Sequence, residues 1–153
     1  MKDLDKKAYI FGMIFMLSNR LQIAGDKMDP HLTVKQWFFL AGVLKCESDT
    51  PALSEIASQI GSSRQNVKKI ASILERQGFV LMEKDKSDAR VLRIKPTSSC
   101  MEHLKKRDGK EMQFLEQLFQ GFESKELSLL SEAIGQLEKN LIKMGGSFAK
   151  KEE

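Results

Sequence analysis

The stretch "LSEIASQIGSSRQNVKKIASILERQGFV", residues 53–80, limits what this chain can fold into more than any other part of it. Leu53 to Ile60 reads as a short helix with Ile56, Ala57 and Ile60 facing inward. Gly61 ends it, because a tight turn between helices needs a residue free to take positive φ. Ser63 can cap the next helix by accepting a bond from one of its free backbone amides. In that second helix Val67, Ile70, Ala71 and Leu74 keep helical spacing, and Gln65, Lys69, Ser72 and Arg76 fall on the opposite face. Ala57, Gly61 and Val67 thus supply the small residue, the turn glycine and the buried β-branched residue that let two helices cross closely. This is helix-turn-helix spacing. An unrelated helical hairpin could share it, so the residues that follow have to decide.

Gly78 stops the second helix. "FVLMEK" then reads as a strand, "DKSDAR" as a polar turn, and "VLRIKP" as a second strand with Leu92 and Ile94 inward and Val91, Arg93 and Lys95 outward. Two strands around a charged loop directly after a helix-turn-helix make a winged helix. Its second helix is expected in the major groove of DNA, with the hairpin tip reaching the flanking backbone or minor groove. The side chains suit those places: Gln can make paired bonds to adenine, and Lys can contact guanine or phosphate. Arg90 at the wing suits the negative potential of a narrow minor groove. The candidate DNA contacts are Ser63, Arg64, Gln65, Asn66, Lys68, Lys69, Ser72 and Arg76 on the second helix, and Lys86, Asp88 and Arg90 in the wing.

Charge points the same way. Between Ser54 and Lys95 stand nine basic residues (Arg64, Lys68, Lys69, Arg76, Lys84, Lys86, Arg90, Arg93, Lys95) against five acidic ones (Glu55, Glu75, Glu83, Asp85, Asp88). That surplus equals the net charge of the whole chain, +4, so the remaining residues balance. A basic segment on an otherwise neutral protein is the footprint of a polyanionic partner. A solvated basic face is the plainer alternative.

The flanks are helical. Residues from about Leu4 to Ile23 are apolar on more than one side, and such a helix must be covered by its own domain or by another subunit. Pro30 breaks that pattern, a second apolar helix runs from about Val34 to Lys45, and Pro51 closes the loop "CESDTPA". Thr97 can cap a long helix reaching about Phe122. After a break at "GFES", Leu127, Leu130, Ile134, Leu137, Leu141 and Met144 recur at intervals of three or four, a seam that asks for a partner helix within the chain or outside it. The longest apolar run, residues 8–17, is too short to span a bilayer, and Asp3 and Asp5 before it argue against a secretory leader. Two cysteines in 153 residues make no disulfide framework, which suits a reducing, cytoplasmic setting.

With these features in order, the chain resembles the multiple-antibiotic-resistance regulator (MarR) family of winged-helix transcription factors. The resemblance is carried by "LTVKQWFFL" (32–40), residues 53–80, "DKSDARVLRIKPT" (85–97) and the two long C-terminal helices, and its sharpest motif is Asp88-x-Arg90. It implies that Asp88 braces the wing against the domain and that Arg90 enters the minor groove. It also implies a homodimer in which the first and last helices pair across a twofold axis, through Phe11, Ile14, Leu130, Ile134, Leu137 and Leu141. MarR-like proteins often bind aromatic anions between the dimer helices and the winged helix, which makes Trp37 and Phe38 a candidate effector groove beside their plainer role as core. Ala89 stands where the family usually has a second basic residue, and Cys100 where it accepts glycine.

The expected architecture is therefore mainly α with a small β-hairpin wing. Residues 1–153 form one MarR-like unit, with a winged helix-turn-helix at 33–96 flanked by dimerisation helices at 4–24 and 98–146. No enzyme is expected, since there is no nucleophile pattern, glycine-rich phosphate loop or paired-cysteine motif. No cofactor is called for. Cys100-x-x-His103 places two metal ligands on one helical face, which falls short of a site. Cys100 in a first helical turn could instead have a lowered thiol pKa and sense redox state, against its plainer reading as small filler. The function read from the sequence is a sequence-specific repressor that binds a pseudo-palindromic operator as a homodimer and is released by a small aromatic or anionic effector, with no membrane partner. The alternatives are a winged helix that docks an acidic protein, or a regulator that senses redox state through Cys100 or Cys46.

Overall fold

A computed structural model describes residues 2–149 of the chain, with side chains through residue 145. Its elements in order are α1 (Asp3–Met28), α2 (Val34–Lys45), α3 (Leu53–Ile60), α4 (Arg64–Arg76), β1 (Val80–Lys84), β2 (Leu92–Pro96), α5 (Ser98–Leu118) and α6 (Ser124–Ala149). They form two compact units, Met1–Lys110 and Glu111–Glu153. The boundary falls inside α5, so α1 and the first half of α5 belong to the same unit as residues 33–96.

The first unit is built from helix ends that the sequence specifies. α1 runs on past Ile23, where its apolar run stops, because Ala24 to Met28 still favour helix. It ends only at Asp29, which Pro30 forces into extended backbone. Asp26 then accepts from the backbone N–H of Val34 at 2.7 Å, tying the end of α1 to the start of α2. Gly25 is buried at this crossing, and a Cβ there would run into Val34 Cγ2. Thr33 and Gln36 cap α2 reciprocally, each side chain accepting from the other's backbone N–H. Between α3 and α4, Gly61 takes φ 64°, and the Ser62 N–H reaches back to the Ala57 carbonyl at 2.9 Å. Ser63 Oγ accepts from Asn66 N and opens α4.

Phe39, Leu40, Ile56, Val67, Leu74, Val80 and Ile94 make the centre of the core, closed by Leu32 and Cys100. The inward residues expected of the two short helices are those found: Ile56, Ala57, Val67, Ile70, Ala71 and Leu74 are buried, and Ile60 is half-buried against the same core. Gly78, at φ 79°, turns the chain from α4 into an antiparallel hairpin in which Met82 pairs with Ile94 and Lys84 with Leu92. The segment before α3, expected to be only loop, adds a short third rung to this sheet. Ile94 N donates to Pro51 O at 2.9 Å, and Ala52 bridges Arg93. Thr97 Oγ1 accepts from Cys100 N and donates to the Gly78 carbonyl at 2.6 Å, so the cap of α5 also anchors the turn after α4.

In the second unit, Gly121 at φ 89° and the Glu126 carboxylate, which accepts from Glu123 N at 2.8 Å, start α6. Along its apolar stripe Leu130, Ile134, Leu137 and Leu141 are all exposed, Leu141 by 64%. α1 in the first unit is likewise bare along Tyr9, Ile10, Phe11, Ile14 and Phe15, with Phe11 exposed by 67%. No helix among the described residues is long and apolar enough to cross a membrane.

Candidate nucleic-acid interface

α4 is held by its dry face, and the opposite face is open to solvent. The side chains of Arg64, Gln65, Lys68, Lys69 and Arg76 are exposed and make no hydrogen bond or ion pair with other described residues. Three other candidate contacts are engaged locally. Ser63 caps the helix, Asn66 Nδ2 donates to Ser62 Oγ, and Ser72 Oγ donates to the Lys68 carbonyl at 2.9 Å. These bonds shape the helix, so the groups free to meet a partner are the two arginines, the two lysines and Gln65.

The wing is ordered by carboxylates. Asp88 accepts the Arg90 side chain through two 3.0 Å bonds and the Arg90 backbone N–H through a third. Asp88 therefore does not brace the wing against the domain as the resemblance implied, because its carboxylate is occupied within the tip. The bracing contact belongs to Asp85. One of its oxygens accepts from Ser87 N and Asp88 N, and the other accepts from Arg93 Nε, while Arg93 Nη1 reaches the Thr50 carbonyl at 3.0 Å. Arg93, expected to point outward to solvent, is half-buried by this role. The Arg93 guanidinium and the two tip amides hold the Asp85 carboxyl below the usual carboxylate range, and Arg90 does the same to Asp88.

The two parts meet. A groove of about 330 Å³ lies between the start of α3, the first turns of α4 and the wing, lined by Ser54, Arg64, Gln65, Lys68 and Arg90 together with Leu53 and Leu92. Residues 64, 65, 68 and 90, read from sequence as DNA contacts, thus converge on one concavity. Lys69, Arg76 and Lys86 are exposed but lie outside it.

A second cavity, about 260 Å³, opens between the end of α1, the loop that follows it and α5 within the first unit, lined by Met28, Asp29, Pro30, His31, His103, Lys106, Arg107 and Lys110. Asp29 is buried at its edge. It accepts from His31 N at 2.9 Å and Arg107 Nη1 at 2.8 Å, and lies 2.7 Å from His103 Nε2. Burial alone would raise the Asp29 carboxyl, but these bonds and the charges of His103 and Arg107 outweigh it and hold the group below the usual range. Trp37 is half-buried against the core with the Arg107 guanidinium 5.8 Å above its ring, and Phe38 is exposed. Neither lines this cavity. Sequence reading missed Asp29 and Arg107 because they lie 78 positions apart, and no local pattern joins them.

Cys100 is 1% exposed in the core, and burial pushes its thiol up, opposite to what a reactive thiolate needs. Cys46, half-buried with its Sγ donating to Gly42 O, is pushed up by burial as well. Packing explains Cys100.

No protein-family model matches the chain. Solved structures do. The chain is similar to a MarR protein from Peptoclostridium difficile DA00132, with 23% identity, 86% of each chain covered and a TM-score of 0.76. It is similar to S. aureus MepR, solved as a DNA complex, with 18% identity, 88% of this chain and 97% of that one covered, and a TM-score of 0.76. It is also similar to the organohalide-sensing regulator RdhR-CbdbA1625 in its 2,4-dichlorophenol-bound form, with 16% identity, 88% and 80% covered, and a TM-score of 0.77. Fold and site together define a winged helix-turn-helix protein. More narrowly, the fold is that of the MarR regulators.

Proposed function

We propose that this chain is a MarR-family transcriptional repressor that binds a pseudo-palindromic DNA operator as a homodimer and is released by a small anionic effector. The observation that carries the proposal is the convergence of Arg64, Gln65 and Lys68 from α4 with Arg90 from the wing on one open groove. A helix offering an amide and free cations beside an arginine-tipped hairpin combines base reading with backbone and minor-groove contact. The DNA-bound state of the similar MepR supports this reading. The bare apolar faces of α1 and α6 support the homodimer, since exposed apolar stripes of this extent mark surfaces that another chain covers.

The test compares two kinds of contact. Gln65→Ala or Lys69→Ala is expected to cost about 1–3 kcal/mol at a selected operator while sparing non-specific duplex binding. Arg90→Ala is expected to weaken binding to all sequences alike. Titrations at several salt concentrations measure both effects, and operator affinity unchanged in all three variants would sink the DNA-reading assignment. A wild-type chain that ignores duplex DNA but binds an acidic protein would establish the interaction-module alternative.

The effector seat we assign is the cavity at Asp29, in place of a groove at Trp37 and Phe38. Beyond the Asp29–Arg107 pair, Lys106 and Lys110 add positive charge to its lining, which suits an aromatic acid or phenolate. The dichlorophenol-bound relative supports that class. Trp37 is the only tryptophan and carries Arg107 over its ring. Titration with a benzoate or chlorophenol is therefore expected to change its fluorescence in the wild type, and to do so far less in Lys106→Gln/Lys110→Gln.

A further inference from the structure

We infer that Arg93 and Asp85 form the positioning pair that sets where the wing meets DNA, a role that rests on the DNA-binding reading above. Among the described residues Arg90 is held only by Asp88, and both lie in the tip, so Arg90 can reach no further than the tip is aimed. The tip is closed by Asp85 N donating to the Val91 carbonyl and by the Asp85 carboxylate gathering the amides of Ser87 and Asp88. A two-stranded hairpin is by itself only marginally stable and free to flex. What aims this one is Arg93. Its Nε holds the carboxylate that organises the tip, and its Nη1 holds the Thr50 carbonyl just ahead of α3.

The path is continuous. The start of α3 is fixed to Arg93, Arg93 to Asp85, and Asp85 to the tip that carries Arg90. The same Arg93 is joined to Ala52 by a backbone bridge, so side chain and main chain fasten the wing to one place. The groove between wing and α4 is bounded by Ala52 and Leu53 on one side and by Arg90 to Leu92 on the other, so this brace sets its width. A guanidinium does this because its planar fork donates in two directions at once, which an ammonium on the same stem does not reproduce.

The test uses the full chain and a duplex that the wild type selects from random sequence. Lys95→Gln serves as control, because Lys95 is exposed on the same strand and its loss removes the same charge without touching the brace. Arg93→Gln is expected to lose about tenfold in affinity for the selected duplex, the cost of one charge-assisted bond. Hydroxyl-radical protection of the flanking minor groove should be lost while protection by α4 in the major groove is kept. Arg93→Lys, which keeps only the ion pair, should fall between, and it carries the test if the glutamine variant does not fold. Lys95→Gln should keep the minor-groove protection. Arg93 variants that keep the minor-groove protection, whatever their affinity, would overturn the positioning role alone. A wild type that selects no duplex at all would overturn the DNA reading, and the positioning role with it.

Discussion

Leu137→Lys/Leu141→Lys is expected to yield a folded monomer that has lost high-affinity operator binding, although none of the proposed DNA contacts has changed. Both leucines lie on the bare stripe of α6 and are exposed in the single chain, Leu137 by 41%. Lysines there stay hydrated in the monomer and leave its core intact. Across a helical seam between two copies they would bury two charges, a cost that contact does not survive. One winged helix holds a half-site mainly through salt-sensitive phosphate contacts. Linking two makes the second contact nearly intramolecular, worth on the order of 10²–10⁴ in avidity. Sedimentation and operator titration measure the two halves of the result. If the variant sediments as a dimer, α6 is not the seam. A folded monomer that still binds the full operator tightly would show that dimerisation is not the source of affinity.

Asp29→Asn is expected to destabilise the fold by about 3 kcal/mol, the low end for removing one partner from a buried ion pair. The value is low because Arg107 keeps its place over Trp37. The loss depends on pH with a definite sign. The folded-state pKa of Asp29 lies below its ordinary value, so its ionised form contributes stability that is fully present above the unfolded pKa of about 3.9. As pH falls through the lower folded value, that contribution disappears. Urea melts of wild type and variant should therefore differ most near neutrality and draw together below about pH 4. A gap that stays constant down to pH 3 would mean that Asp29 acts by packing and not by charge.

Local chemistry was legible in the sequence, and distant chemistry was not. The end of α3 and the start of α4 follow from Gly61 and Ser63, because caps and turn glycines act within a few residues of where they stand. α1 runs past its expected end because an apolar run can stop before the helix does, and only Pro30 carries a stop signal. The wing was readable as a hairpin, and Arg90 as its exposed tip. The exchange of roles between Asp88 and Asp85 was not, because two aspartates three positions apart in one charged loop look alike until the fold brings Arg93 and Thr50 to one of them. Asp29 had no visible partner for a similar reason, as α5 returns to it only after the whole winged helix has been made. Trp37 and Phe38 drew attention as aromatics at helical spacing, yet the cationic cavity is lined by residues of α5 and of the loop after α1, which lie far apart in the sequence.

The two bonds from Arg90 to Asp88 bear on the order of events in the DNA binding proposed above. Seen from beyond a Debye length, about 8 Å at physiological salt, that pair is a small dipole with no net charge. The cations at the open face of α4 have no such neutraliser, so the long-range pull on an approaching duplex acts there first. Under the proposed DNA-binding role, encounter would begin with the helix, and the wing would join in a second step, when Arg90 exchanges its own carboxylate for acceptors on the DNA. A wrong sequence can be released between those steps, before the arginine has let go.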